Sequence, residues 1–187
     1  MNLIPSIIIY GFSLSVILTT IILVTLYVNP RLLLQSYPIA IQGAVKGKTR
    51  LEQRQTKIIG ILFMLLLIGQ PVVSTIAMKQ SNGGTIAFSD AFLNAFGIMS
   101  IFNIVDFLLI DWLIFCTITP RFLVIKGTEG MPDYKHIRHH VKGLFIGAAL
   151  SLVFSLILAC IISVIFMWMP WEIESNLTTS PNILPLC

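Results

Sequence analysis

The sequence predicts an all-α, polytopic membrane protein with four transmembrane helices and both termini extracytoplasmic. Of its 187 residues, 56% are hydrophobic and only 11% charged, against roughly 25% charged in a soluble domain. Four uncharged apolar runs are long enough to cross about 30 Å of hydrocarbon. The Lys and Arg residues, twelve in all, are confined almost entirely to alternate loops. The first two observations exclude a soluble fold, and runs that are continuous rather than alternating exclude a closed barrel. No loop is long enough to hold a folded unit, so 1–187 reads as a single four-helix domain with no soluble appendage.

The first span is expected at 3–28. Met1-Asn2 carries no basic n-region and the run ends in Asn29-Pro30-Arg31 without a small-x-small cleavage site, so it reads as a retained helix rather than a signal peptide. The loop 29–57 mixes Leu32, Leu33, Leu34, Ile39 and Ile41 with Gln35, Ser36 and Gln42, a composition suited to the membrane interface. Pro38 fits the first turn of a short helix, and Gly43 and Gly47 turn the chain back. Thr49-Arg50-Leu51-Glu52 reads as a capping box, so the second helix starts there and projects from the bilayer before its span at 58–78. Within that span Gly69-Gln70-Pro71 falls near mid-membrane, and Pro71 frees the carbonyl of Leu67. Gln70 and Asn103 are expected to satisfy it. Both a structural kink and a hinge beside a cavity stay open.

The third span, 92–118, carries Asp106 and Asp111 inside an otherwise apolar run. At 100° per residue Ser100, Asn103, Asp106, Asp111 and Thr117 occupy roughly 140° of arc. Turning that stripe toward lipid would cost about 2.5 to 3.5 kcal/mol per Asp, so it faces the bundle interior or water. The fourth span, 143–169, offers a matching surface: Gly143, Gly147, Ser151, Ser155, Ala159 and Ser163 repeat every fourth position, a seam that admits close helix approach. A shorter row, Gly11, Ser15 and Thr19, runs along the first helix. Counting from the inner turn sets Asp106 opposite Ser155 and Asp111 opposite Leu150 or Ser151.

Orientation follows from the cations. Loop 29–57 holds six Lys and Arg, loop 119–142 holds five, and the second loop holds only Lys79, which places the first and third loops in the cytoplasm. Tyr27, Tyr37 and Tyr134 form the expected inner aromatic belt, with Trp168 and Trp171 at the outer boundary near Glu172 and Glu174. Positive-inside anchoring on anionic inner-leaflet lipids is a simpler reading of these cations than a specific lipid site. Cys116, Cys160 and Cys187 sit at different depths and are expected to be unpaired. Asn176-Leu177-Thr178 is a glycosylation sequon where the host glycosylates.

All three histidines cluster in Asp133-Tyr134-Lys135-His136-Ile137-Arg138-His139-His140. With Asp133 as N-cap, His136 and His140 would share a helix face. A weak metal site, a proton relay and a solvated basic anchor all stay open, although Lys135, Arg138 and Lys142 disfavour a metal ion. HxxHH also resembles one histidine box of the membrane di-iron desaturases and hydroxylases. That resemblance implies further boxes, and this chain has no other histidine, so the class is rejected. An aspartyl dyad is disfavoured too, since five residues along an α-helix separate the two Asp by about 140° and about 7.5 Å of rise. Nucleotide loops, nucleophile elbows and CxxC pairs are absent, and the basic patches lack the aromatics of a nucleic-acid surface.

The functional expectation is a binding or transport protein. A proton, a cation or a small polar or lipid headgroup engages Asp106 and Asp111, supported by Asn103, Gln70 and Ser155, in a homo-oligomer or a larger membrane complex. A membrane-embedded enzyme on a lipid-soluble substrate and a structural or assembly subunit are the alternatives. No catalytic residue, metal or cofactor is assigned, and the expected location is a bacterial plasma membrane.

Overall fold

The computed structural model describes residues 2–168, with side chains through Val164. Trp171, Glu172, Glu174, Cys187, the Asn176 sequon and the side chain of Trp168 lie outside the described residues. All regular structure among the described residues is helical. Four helices are long and apolar enough to cross a membrane, as an integral membrane protein requires.

Helix α1 spans Leu3–Val28. Pro30–Ser36 forms a 3-10 turn, started by the Asn29 side chain accepting the Arg31 N–H at 3.0 Å, and the short helix α2 covers Ile39–Ala44. Helix α3, Arg50–Ser81, begins at the expected capping box, with the Thr49 hydroxyl on the Glu52 N–H and the Glu52 carboxylate on the Thr49 N–H. Each bond satisfies a donor that a helix start otherwise leaves open. Helix α4 runs Phe88–Asp106 and continues as a π-helix over Phe107–Ile118. Helix α5, Ile137–Trp168, closes the bundle.

Helix α4 is the central element, packed along α1 on one side and α5 on another, with α3 also against it. Small residues set both long contacts. A side chain at Gly11 would meet Ile101 and one at Gly97 would meet Ile7, each within 2.8 Å. Glycine and isoleucine thus interlock reciprocally, four residues apart on both helices, as small-residue packing permits. On the other side Ser151, Ser155 and Ala159 are buried, and Gly147 lies directly beneath the Asn103 amide. The Gly143 end of the seam is open.

The connecting segments depart from expectation. Rather than lying singly in the interface, the chain after α1 and the chain after the π-helix fold over one another into a cap. Leu34, Tyr37, Ile41, Leu123, Ile125 and Tyr134 are its buried core, continuous with Leu26, Ile110 and Phe115 of the bundle. Tyr37 and Tyr134 are therefore core residues and not belt residues, whereas Tyr27 is 75% exposed. Tyr37 donates to the Leu123 carbonyl at 2.9 Å, and the Tyr134 hydroxyl accepts the Ile125 N–H at 3.0 Å. Arg31 pins the segment to α3, its Nε 2.8 Å from Glu52 Oε1 and its Nη2 on the carbonyls of Lys46 and Gly47. Burial raises the Tyr37 hydroxyl above its ordinary value, and the neighbouring Tyr134 adds to this.

Tyr134 also overturns the expected start of the last helix. Anchored in the cap, it holds Pro132–Lys135 as a separate 3-10 turn in which Asp133 caps nothing. The chain breaks at His136, and α5 begins at Ile137, six residues before the expected span.

Candidate functional site

The third span changes its winding at Asp106. Along Phe107–Ile118 it is a π-helix, in which each amide bonds the carbonyl five residues back. The Thr119 N–H closes this stretch on the Ile114 carbonyl at 2.8 Å, and the Thr117 hydroxyl bonds the Trp112 carbonyl at 2.9 Å. Thr119 then ends it with φ 44°, a conformation that β-branched residues avoid. Five residues are about one π turn, so Asp106 and Asp111, divergent on an α-helix, come to one face. Both line a single cavity of about 350 Å³.

That cavity lies between α1, α3, the turn at Pro30–Ser36 and the third span. Ile22 and Leu26 of α1, Phe63 of α3 and Ile110 of the π-helix give it apolar walls, and Thr25 and Thr56 add hydroxyls. Its rim includes Gln35, Ser36, Gly60 and Met64, all exposed, so it reaches the surface where the cap meets α3. No Lys or Arg is among its lining residues. Lys48 stands behind the wall with its ammonium on the Leu32 carbonyl at 2.7 Å and the Thr56 hydroxyl at 3.1 Å. Burial lowers the Lys48 pKa, Glu52 opposes the shift and Arg31 adds to it.

The two carboxylates differ in their partners. Asp111 Oδ1 is 2.7 Å from His140 Nδ1, and His140 is only 3% exposed. Asp106 has a fully buried Oδ1 with no hydrogen-bond partner among the described residues, as does His140 at Nε2. The carboxylates make no hydrogen bond to each other, so they do not form a proton-sharing dyad. His140 also lies against the Phe115 ring, whose centroid is 5.3 Å away, and Phe115 meets Tyr37 edge-on at 5.1 Å. The site is thereby tied to the core of the cap.

The remaining residues predicted for the site go elsewhere. Asn103 donates to the Leu144 carbonyl at 3.0 Å, and Ser155 to the Met99 sulfur at 3.6 Å. Neither reaches a carboxylate. The expected register between the third and fourth spans is corrected accordingly: the partner of Asp111 is His140, ten residues before Leu150, because α5 begins early. Gln70 has no side-chain partner among the described residues, and neither amide satisfies the Leu67 carbonyl. Helix α3 runs on through Pro71, where a void of about 20 Å³ lies against Met99 and Ser155 and does not reach the carboxylates. The histidines separate as well: His136 precedes the helix and is exposed, His139 is half-buried, and His140 alone joins the site. A solvated anchor does not describe His140. No group of three or more His, Cys, Asp or Glu able to hold a metal ion occurs among the described residues, and Cys116 and Cys160 are free.

A second polar cluster escaped the sequence reading. Ser6 and Ser74 hydroxyls are 2.7 Å apart, and the Asn94 amide donates to Ser74 at 2.9 Å and to Thr75 at 3.1 Å. Thr75 in turn donates to the Pro71 carbonyl at 2.8 Å. All four side chains are fully buried between α1, α3 and α4, at the end away from the cap.

No protein-family model, curated protein or solved structure matches the chain.

Proposed function

We propose that this integral membrane protein binds a cationic group at Asp106 and Asp111, in the half of the bundle next to the cap, as part of a binding or transport role. The observation that carries the reading is the meeting of both carboxylates in one cavity, with a buried Asp106 oxygen left unpartnered. Ionisable groups are costly inside a membrane and are functional by default. The paired Asp111 and His140 form the fixed side of the site and Asp106 the open side.

Eleven of the twelve Lys and Arg flank the cap end, which supports a cytoplasmic cap, extracytoplasmic termini and contact with the anionic lipids of a bacterial inner leaflet. Four spans seldom enclose a complete translocation path, which supports a homo-oligomer or a partner membrane chain.

Native mass spectrometry of the gently solubilised protein, wild type beside the Asp106→Asn/Asp111→Asn double variant, tests the reading. A bound cationic species present on the wild type and lost from the variant is the expected result. Identical spectra from both proteins, with the variant melting earlier, would replace it with a structural role.

A further inference from the structure

Resting on the cation-binding reading, we infer that the occupant of this cavity is an amphiphilic amine. Its ammonium sits at Asp106 and Asp111, and its hydrocarbon lies along Ile22, Leu26, Phe63 and Ile110.

Four features select this class. The lining carries two carboxylates and no Lys or Arg, which opposes phosphate and other anionic headgroups. A proton alone needs no space, yet about 350 Å³ is present, within the ~300–1,000 Å³ of small-molecule sites. Hard metal ions take six or more oxygen ligands in the calcium and magnesium manner, whereas the walls here are mostly apolar and no metal-holding group of side chains occurs among the described residues. An apolar wall with a few converging polar groups is the usual make-up of an organic-ligand site.

The hydrogen bonds say which carboxylate is free. Asp111 already holds His140 through Oδ1, while Asp106 has no hydrogen-bond partner among the described residues, so Asp106 is the carboxylate left to take the ammonium. The rim gives the route. Gln35 and Ser36 stand beside Gly60 and Met64 where the cap meets α3, a boundary between polar and apolar surface. An amine dissolved in the leaflet already holds its charge at that level and its tail below, so it enters sideways without crossing water.

The test is equilibrium binding of octyltrimethylammonium to the full chain in phosphatidylcholine nanodiscs, with empty nanodiscs subtracted. Tetramethylammonium and octanol serve as the tail-less and charge-less comparisons. Saturable binding of the octyl cation is expected at least about tenfold tighter than either comparison. Asp106→Asn lowers its affinity by about tenfold or more, since it removes one member of a desolvated charge pair. Ile22→Phe, which fills the wall and leaves both carboxylates in place, lowers it as well; with Asp111→Asn it keeps the test decisive should Asp106→Asn not fold.

Equal binding of tetramethylammonium and the octyl cation, both lost in Asp106→Asn, would overturn the amphiphile and leave the cation site standing. Equal binding of octanol with Asp106→Asn silent would overturn both readings, as would absence of saturable binding by any probe.

Discussion

Ser6, Ser74, Thr75 and Asn94 at one end of the bundle, and Asp106, Asp111 and His140 at the other, face the same problem of polar atoms without water. The first group solves it with neutral partners. Each hydroxyl and both atoms of the Asn94 amide are spent on one another or on the Pro71 carbonyl, and none of the four lines the cavity that Asp106 and Asp111 share. The second group uses ionisable side chains, leaves Asp106 Oδ1 and His140 Nε2 unpartnered, and borders about 350 Å³ of space. Neutral, closed polar contacts serve packing, because a fully satisfied network gains nothing by admitting a ligand. An open, ionisable set costs stability that an occupant recovers.

The largest expected effect strikes the fixed side of the open region. His140→Ala leaves Asp111 without its partner; loss of one member of a buried pair costs ~3–5 kcal/mol, and the 22% exposure of the Asp111 side chain holds the effect near the lower end, about 3 kcal/mol. Unfolding of the detergent-solubilised protein measures it. Asp111→Asn added to His140→Ala is expected to restore part of the loss. If the double variant is as unstable as the sum of the singles, the pair is not coupled and the contrast between the two ends weakens.

Asn94→Leu comes next, at about 2 kcal/mol. It removes three hydrogen bonds, each worth ~0.6 kcal/mol on average within membranes, and leaves Ser74 with Ser6 alone. Cation binding is expected to stay unchanged. A loss of binding in Asn94→Leu with the fold intact would show that the two ends communicate, contrary to their separation.

Asp106→Asn inverts that pattern. Stability is expected to hold or rise slightly, since a buried unpartnered carboxylate is replaced by a neutral amide, while affinity for a cation falls about tenfold, or ~1.4 kcal/mol. Parallel melting and binding measurements on the two Asn variants therefore separate packing from function. Matching losses of stability in both would place Asp106 with the structural group.

Much of this was legible in the sequence because it depends on local pattern. The four spans follow from run length, the α3 start from Thr49 and Glu52, and the α5 seam from a repeat of four. The π-helix was not legible. Its i to i+5 bonds have no composition signal in Phe107–Ile118, and without them Asp106 and Asp111 point apart. Tyr37 and Tyr134 have the composition of belt residues, and only the cofolding of two distant loops turns them inward. That same cofolding moved the start of α5 and brought His140 to Asp111. Asn94 was missed for a simpler reason: nine residues from Asn103, it lies about 180° around an α-helix, off the face that drew attention.

The smallest effect reaches the open region from the cap. Tyr37→Phe removes the bond to the Leu123 carbonyl, about 1 kcal/mol at neutral pH, and loosens the ring that Phe115 packs against. Its pH dependence is the sharper test. Burial, with Tyr134 beside it, raises the folded Tyr37 pKa above its ordinary value of 10.0, so the stability Tyr37 contributes is complete below that value. Above it the unfolded chain ionises while the folded chain does not, and the contribution is lost as the pH climbs. The stability gap between wild type and Tyr37→Phe is therefore expected to narrow from about pH 10 upward, measured by thermal melting across pH 7 to ~12. A gap that stays constant would mean that Tyr37 ionises as readily folded as unfolded. The cap would then be wet rather than a buried support for Phe115 and His140.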